Sequence, residues 1–191
     1  KRTKKFINKI KKKKLKKIID FGGGAGYHYF IAKKIINYEF KWFLIENKTM
    51  VKLCKKKIKY KNLSFNNQLI KTKADIFFSS CAINYTNNPI NILNKISKLN
   101  AKYLYFTRTP LSQNGEVEFK QLSLLSENGP LYLKNEKKIF IECKNKIISQ
   151  KKFENIFNKK YRIVKKYIDE KKAFYNAKKY YDNYTYIFKK I

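Results

Sequence analysis

Asp20, Gly22, Gly24 and Gly26 stand at alternate positions, just after the apolar pair Ile18-Ile19 and just before Tyr27 and His28. Glycines placed there let the backbone turn sharply with positive φ and let a ligand approach with no Cβ in the way. The chemistry this supports is the holding of a nucleotide-like group over a strand-to-helix turn. The intervening residues narrow the choice. A Gly-x-Gly-x-x-Gly dinucleotide fingerprint begun at Gly22 needs glycine where Tyr27 stands, and begun at Gly24 it meets Tyr29. A phosphate loop needs Gly-Lys-Ser or Gly-Lys-Thr at the helix start, and Gly26-Tyr27-His28 is not that. Glu46 follows the loop at the spacing, about 20 residues, where an acidic side chain accepts two hydrogen bonds from ribose hydroxyls. Its plain alternative is a cap for the next helix.

These residues need elements to position them. Residues 17–21 read as a short buried strand ending in the glycine turn, and over 27–38 the apolar residues Phe30, Ile31, Ile35 and Tyr38 recur at helical steps. The alternation continues with a strand at 42–45, a helix over 48–57, and strands at 63–65 and 74–79. Asn88-Pro89 then opens a further helix, and a strand follows at 103–106. Strands alternating with helices predict an α/β fold, a mostly parallel sheet with helices on both faces. Only residues 66–73 separate the third and fourth strands, fewer than the dozen or so a parallel crossover normally takes, so the helix expected there is reduced or lost. Residues 109–148 break the rhythm with Pro, Gly, Asn and Ser around extended runs at 121–125, 131–133 and 139–143, and read as an insertion. A helix over 149–158 and strand-like runs at 161–168 and 184–188, with a long loop between them, close the chain.

The stretch Asp20-x-Gly22-x-Gly24-x-Gly26 resembles the first motif of class I S-adenosylmethionine-dependent methyltransferases at every fixed position. The resemblance implies a Rossmann-like sheet with an antiparallel last strand inserted beside its neighbours, and S-adenosylmethionine as cofactor. It implies that the loop backbone at Gly22, Gly24 and Gly26 passes beneath the methionine part and ribose, that Asp20 holds the loop or meets the amino group through water, and that Glu46 holds the ribose. Ser79, Ser80 and Cys81, ending the fourth strand, would border the methyl end, at the carboxyl edge where open α/β sheets bind ligands. Asn66 or Asn67 would contact the adenine. The Asn- or Asp-Pro-Pro-Tyr of amino-methylating nucleic-acid enzymes is absent, and Cys81 lacks the Pro-Cys context of cytosine-C5 nucleophiles. Residues 20–29, 42–46, 79–85 and 107–111, the last being Thr107-Arg108-Thr109-Pro110-Leu111, resemble a bacterial group of methyltransferases associated with surface-polysaccharide gene clusters. For catalysis the candidates are His28, the one histidine, as a base for an acceptor hydroxyl, and Arg108 as an anchor for an anionic acceptor. Packing and a structural ion pair are their respective alternatives.

The bulk composition bounds the setting. A chain of 191 residues, 43% hydrophobic and 16% aromatic, suits one domain with a sizeable core. We divide it into a basic approach segment at 1–16 and a methyltransferase domain at 17–191, with 109–148 as an acceptor-side insertion. No run nears the roughly 18 apolar residues of a membrane span, and no signal peptide is evident. Three scattered cysteines with one histidine predict neither a disulfide framework nor a metal cluster, which fits a reducing, cytoplasmic setting. The chain starts at Lys1, as a fragment or trimmed product would. A net charge of +33 points to a nucleic acid or an anionic membrane surface, yet it is almost all Lys, accompanied by Asn, Ile, Tyr and Phe, the residues of AT-rich codons. Codon composition is the preferred account, and the run Lys11-Lys12-Lys13-Lys14-Leu15-Lys16-Lys17 reads as a solvated approach to the first strand. The expected activity is methylation of a small molecule or saccharide, O-methylation favoured. The alternatives are an RNA-directed methyltransferase using the Lys-rich surface and a non-catalytic cofactor-binding domain.

Overall fold

Alternation along each strand sorts its side chains to the two sides of one sheet. A computed structural model describes residues 2–70, 72–124, 139–176 and 178–191. In chain order the elements are α1 (Arg2–Lys12), β1 (Lys17–Phe21), α2 (Tyr27–Ile35), β2 (Lys41–Ile45), α3 (Lys48–Lys57), β3 (Leu63–Asn66) and β4 (Ile76–Ser80). There follow α4 (Pro89–Ser97), β5 (Tyr103–Ser112), β6 (Val117–Leu124), β7 (Phe140–Ser149), α5 (Gln150–Asn158), β8 (Tyr161–Asn176) and β9 (Lys179–Lys190). Strands β3, β2, β1, β4 and β5 lie side by side and parallel. The last strand, β9, pairs antiparallel with β5 on one side and with β8 on the other. The Rossmann-like arrangement expected from the sequence is therefore present. Ile18, Trp42, Leu44 and Phe78 face α1, α2 and α3, while Ile19, Phe77, Leu104 and Phe106 face α4 and α5.

Local chemistry sets the helix starts. Asn47 accepts from the backbone N–H of Met50 at 3.0 Å, Asn88 from that of Asn91 at 2.9 Å ahead of Pro89, and Ser149 from that of Lys152 at 3.2 Å. Helix α2 stops at Ile35, short of the expected 38, because Ile36 turns extended. Tyr38 instead donates its hydroxyl hydrogen to the carbonyls of Ile10 and Leu15. Between β3 and β4 no helix occurs among the described residues, as the short link predicts. Leu69 and Ile70 of that link lie against the core on the α4 side.

Three features differ from expectation. The basic approach segment contains α1, whose Phe6, Ile7 and Ile10 are buried, Phe6 stacking on Phe78 at 3.9 Å. Asn8 and Lys9 between them, and the lysines on either side, hide a one-sided apolar stripe. The stretch 109–148 does not begin as an insertion: residues 109–112 continue β5, and β7 returns to pair with its end at Leu111 and Ser112. Of the remainder, the described residues supply the two antiparallel strands of the β6–β7 hairpin, and the expected run at 131–133 lies outside the described residues. The long loop expected near the end is instead a hairpin of β8 and β9, whose bulges absorb the irregular polar pattern that obscures it in the sequence.

Asp75, just ahead of β4, clamps the start of the sheet. Its Oδ2 accepts from the backbone N–H groups of Lys16 and Lys17 at 2.9 and 3.0 Å, and its Oδ1 meets Lys102 Nζ at 2.8 Å. Burial opposes ionisation, but the bonds from Lys102, Lys16 and Lys17 outweigh it and hold the carboxyl below its ordinary value. A carboxyl depressed in the folded state stabilises above its unfolded pKa, and this contribution disappears as pH falls through the folded value. Asp75→Asn should thus destabilise by about 1–2 kcal/mol at neutral pH. Urea unfolding at a series of pH values should show the gap from the native chain closing below about pH 4.

Candidate active site

Each glycine of the loop has its own steric reason. Gly22 has φ +74, and a Cβ on it would lie 2.2 Å from the Ala82 Cβ. On Gly23 a Cβ would lie 2.5 Å from Asp20 Oδ2. Gly24, at φ +58, has no atom within 4 Å of its would-be Cβ, so its outer side is open. Gly26, at φ +95, begins α2 with no side-chain cap. The first N–H groups of that helix are thus left to a ligand or solvent. Beneath the loop Asp20 is 1% exposed, and its Oδ2 accepts from Trp42 Nε1 at 3.1 Å. His28 Nδ1 lies 3.2 Å from the same oxygen and, facing an acceptor, carries the hydrogen. Oδ1 of Asp20 is buried without a hydrogen-bond partner.

Glu46 is brought to the loop by the parallel pairing of β1 with β2. Its Oε1 accepts from the Gly24 N–H at 3.0 Å and its Oε2 from the Asn47 N–H at 3.1 Å. Gly22, Glu46, Asn47 and Asn67 line one end of a cleft of about 1510 Å³, and Cys81, Ala82 and Tyr85 line the wall beside them. The cleft runs on along the α4 side, where the β3–β4 link has no helix to fill it, to Lys73, Lys95 and Lys98. An open glycine, an uncapped helix start, a carboxylate aimed at the loop and an unpartnered buried oxygen suit a ligand with amino-acid and ribose groups. The residues fit S-adenosylmethionine.

The structure gathers Asp20, the glycines and Glu46, but separates the other candidates from them. His28 sits on the α1–α3 side, edge-on to Phe78 at 4.9 Å and bonded to Asp20, not on the cleft wall. Ser79 is 1% exposed with its hydroxyl unpartnered, and Ser80 Oγ accepts from Arg108 Nε at 3.0 Å. Of the three residues expected there, Cys81 alone lines the cleft, with Ala82 after it. Burial pushes the Cys81 thiol up, the nearby Arg108 charge offsetting only part of this, so it remains a thiol at neutral pH.

Tyr85 was not anticipated. It ends the 3-10 turn Ile83–Tyr85 and donates its hydroxyl hydrogen to Gln121 Oε1 at 3.1 Å, across to the hairpin. Asn145 Nδ2 donates to the same Gln121 oxygen at 3.0 Å, and Asn84 Nδ2 donates to Asn145 Oδ1 at 3.1 Å. Burial, with Cys81 and Cys143 close by, pushes the Tyr85 phenol up to about 12. It therefore stays protonated at neutral pH and orients a neighbour without taking its proton. Nothing local in the sequence signals this network, because its members come from three separate stretches, at 84–85, 121 and 145. Asn145 is fully buried, so Asn145→Leu should strand the Asn84 amide, while Gln121 keeps its bond from Tyr85, and cost about 1–3 kcal/mol in urea unfolding. Calorimetry should find cofactor affinity unchanged, since no residue of the glycine loop moves.

Arg108 lies at a β-bulge between Phe106 and Thr109 with φ 50, a left-handed conformation for a non-glycine residue. Asp169 of β8 reaches across β9 to hold it, accepting from the Arg108 N–H and the Thr107 hydroxyl at 2.9 Å each, and from the Thr185 hydroxyl. The guanidinium stands exposed beside Ser80, with donors left for an anion.

The sequence matches a family model described as a methyltransferase domain over residues 12–161. No curated protein matches. Among solved structures, an S-adenosylmethionine-dependent methyltransferase from Clostridium acetobutylicum superposes with a TM-score of 0.60 at 12% identity, over 98% of this chain and 89% of that one. The N-terminal domain of EvdMO1, solved with S-adenosylhomocysteine and D-fucose, gives 0.63 at 9% identity over 100% and 82%. The N-methyltransferase NodS from Bradyrhizobium japonicum, with S-adenosylhomocysteine, gives 0.58 at 9% identity over 99% and 85%. At these identities the structural likeness speaks for the fold, and the family match for the domain.

Proposed function

The chain belongs to the methyltransferase-domain family, an S-adenosylmethionine-dependent enzyme, and from that premise we propose that it methylates a hydroxyl of a small molecule or saccharide. The observation that carries the reading is one shared cleft. Gly22 and Glu46 line its cofactor end, and Cys81, Ala82 and Tyr85 line the wall beside it. When bound, S-adenosylmethionine supplies an electrophilic methyl group. The Gly22, Gly24 and Gly26 backbone and Asp20 hold the amino-acid part, and Glu46 accepts the ribose hydroxyls. Tyr85, clamped by Gln121, orients the acceptor hydroxyl, and Arg108 receives an anionic group if the acceptor carries one. Transfer then rests mainly on alignment. His28 serves by fixing Asp20, a positioning role in place of the base expected from sequence.

A saccharide acceptor is supported by the resemblance to the polysaccharide-cluster group, and EvdMO1 was solved with D-fucose. The three cysteines are unpaired, in keeping with a cytoplasmic setting, and no described helix is long and apolar enough to cross a membrane. An RNA acceptor draws less support, because the cleft's cofactor end carries no lysine and the lysines that do line it stand at its far end. Titration calorimetry with S-adenosylmethionine and S-adenosylhomocysteine tests the cofactor, and release of S-adenosylhomocysteine over a panel of free sugars, D-fucose included, tests the acceptor. No heat with either ligand from a folded sample would overturn the reading.

A further inference from the structure

The lysines, ascribed above to codon composition, are not distributed as composition alone would place them. Helices α1, α2 and α3 cover one side of the sheet and carry twelve lysines with no Asp or Glu. Those lysines take part in none of the ion pairs among the described residues. The paired lysines are Lys102, Lys120, Lys146, Lys152 and Lys166, all in the later half of the chain. Codon bias raises lysine along the whole chain, whereas 12 of the 30 residues of these helices are lysine, against 43 of 191 overall. On α1, burial, with the charge of Lys165 of β8 and those of Lys5 and Lys13, pushes Lys9 below its ordinary value.

This face exposes apolar groups among its charges. On α3, Leu53 is 51% exposed and is followed at helical steps by Lys56 and Lys57. Beyond the helix end Tyr60 is 43% exposed, with Lys33 of α2 lying over its ring at 4.4 Å. Lysine stems beside an exposed leucine and tyrosine form the pattern of a surface that sits at a lipid headgroup boundary. A nucleic acid would be met differently, by bidentate arginines and by aromatic faces inside a groove. Helices α2 and α3 carry no arginine, and the large cleft opens on the opposite, α4 side of the sheet.

We propose that the outer face of α1, α2 and α3 docks on an anionic lipid bilayer. The lysines are attracted by the negative surface, and Leu53 and Tyr60 enter the headgroup layer. The contact is peripheral and leaves the cleft uncovered.

Flotation with phosphatidylcholine vesicles, with and without phosphatidylglycerol, at physiological ionic strength tests it. Binding should require phosphatidylglycerol. The triple variant Lys52→Glu, Lys56→Glu, Lys57→Glu should bind at least ~100-fold more weakly, the factor expected from ~1 kcal/mol per lysine at such a surface. An equal charge change at exposed sites elsewhere, Lys144→Glu, Lys151→Glu, Lys159→Glu, should leave binding within a few-fold. Leu53→Ser should weaken vesicle binding with no change of charge, and far-ultraviolet circular dichroism should show all variants folded. The proposal is overturned by absence of binding to the phosphatidylglycerol vesicles, by equal weakening in both triple variants, or by poly(U) binding that is lost in the α3 triple while vesicle binding is absent.

Discussion

Gly22→Ala should destabilise the protein by about 2–5 kcal/mol and abolish cofactor binding with it, a large share of the roughly 5–15 kcal/mol of a typical domain. Two costs add. A left-handed alanine at φ +74 costs about 1–2 kcal/mol. A Cβ 2.2 Å from the Ala82 Cβ forces two backbone segments apart, a strain of about 1–3 kcal/mol that no rotamer change relieves. Gly24→Ala provides the contrast. Its Cβ meets nothing within 4 Å, so only the backbone term remains and the fold should survive, while the methyl group projects on the open side where a ligand approaches. Thermal unfolding and calorimetry with S-adenosylhomocysteine, run on both variants, separate the two effects. A Gly22→Ala protein with native melting temperature would show that the loop does not pack on Ala82.

Glu46→Ala should leave the fold intact and weaken S-adenosylhomocysteine binding by about 10–100-fold, the loss of one charged hydrogen-bond acceptor of about 1.5–3 kcal/mol. The side chain is part-exposed, and α3 keeps its Asn47 cap without it. Glu46→Gln preserves the shape but replaces one acceptor oxygen with a donor, so it should fall between the native protein and the alanine variant. Equal affinity in all three, by calorimetry, would remove Glu46 from the site.

The loop and carboxylate proposed to hold the cofactor were legible in the sequence because their geometry is local. Positive φ at Gly22, Gly24 and Gly26 is written into the residue type, and the strand before and helix after it into hydrophobic periodicity. Glu46 followed because one strand–helix–strand unit sets its distance from the loop. The missing crossover helix could be counted from the length of the link. Other parts escaped for equally physical reasons. The apolar stripe of α1 is three residues among lysines, the β8–β9 hairpin is broken by bulges, and Trp42 gave no sign that its indole would hold Asp20.

By itself, then, the sequence determined the order of elements from β1 to β5, the glycine loop proposed for the cofactor and the acidic residue beside it, since each depends on residues within a turn or one parallel crossover. The tertiary structure alone decided that Gln121 and Asn145 reach Tyr85 and Asn84, that Asp169 holds the Arg108 bulge, that His28 turns to Asp20, and that the twelve lysines of α1, α2 and α3 share one face. Except for His28 and Asp20, eight residues apart across the glycine loop, those contacts join segments tens of residues apart, and no local propensity records which distant partner a polar side chain will meet once the sheet has closed around it.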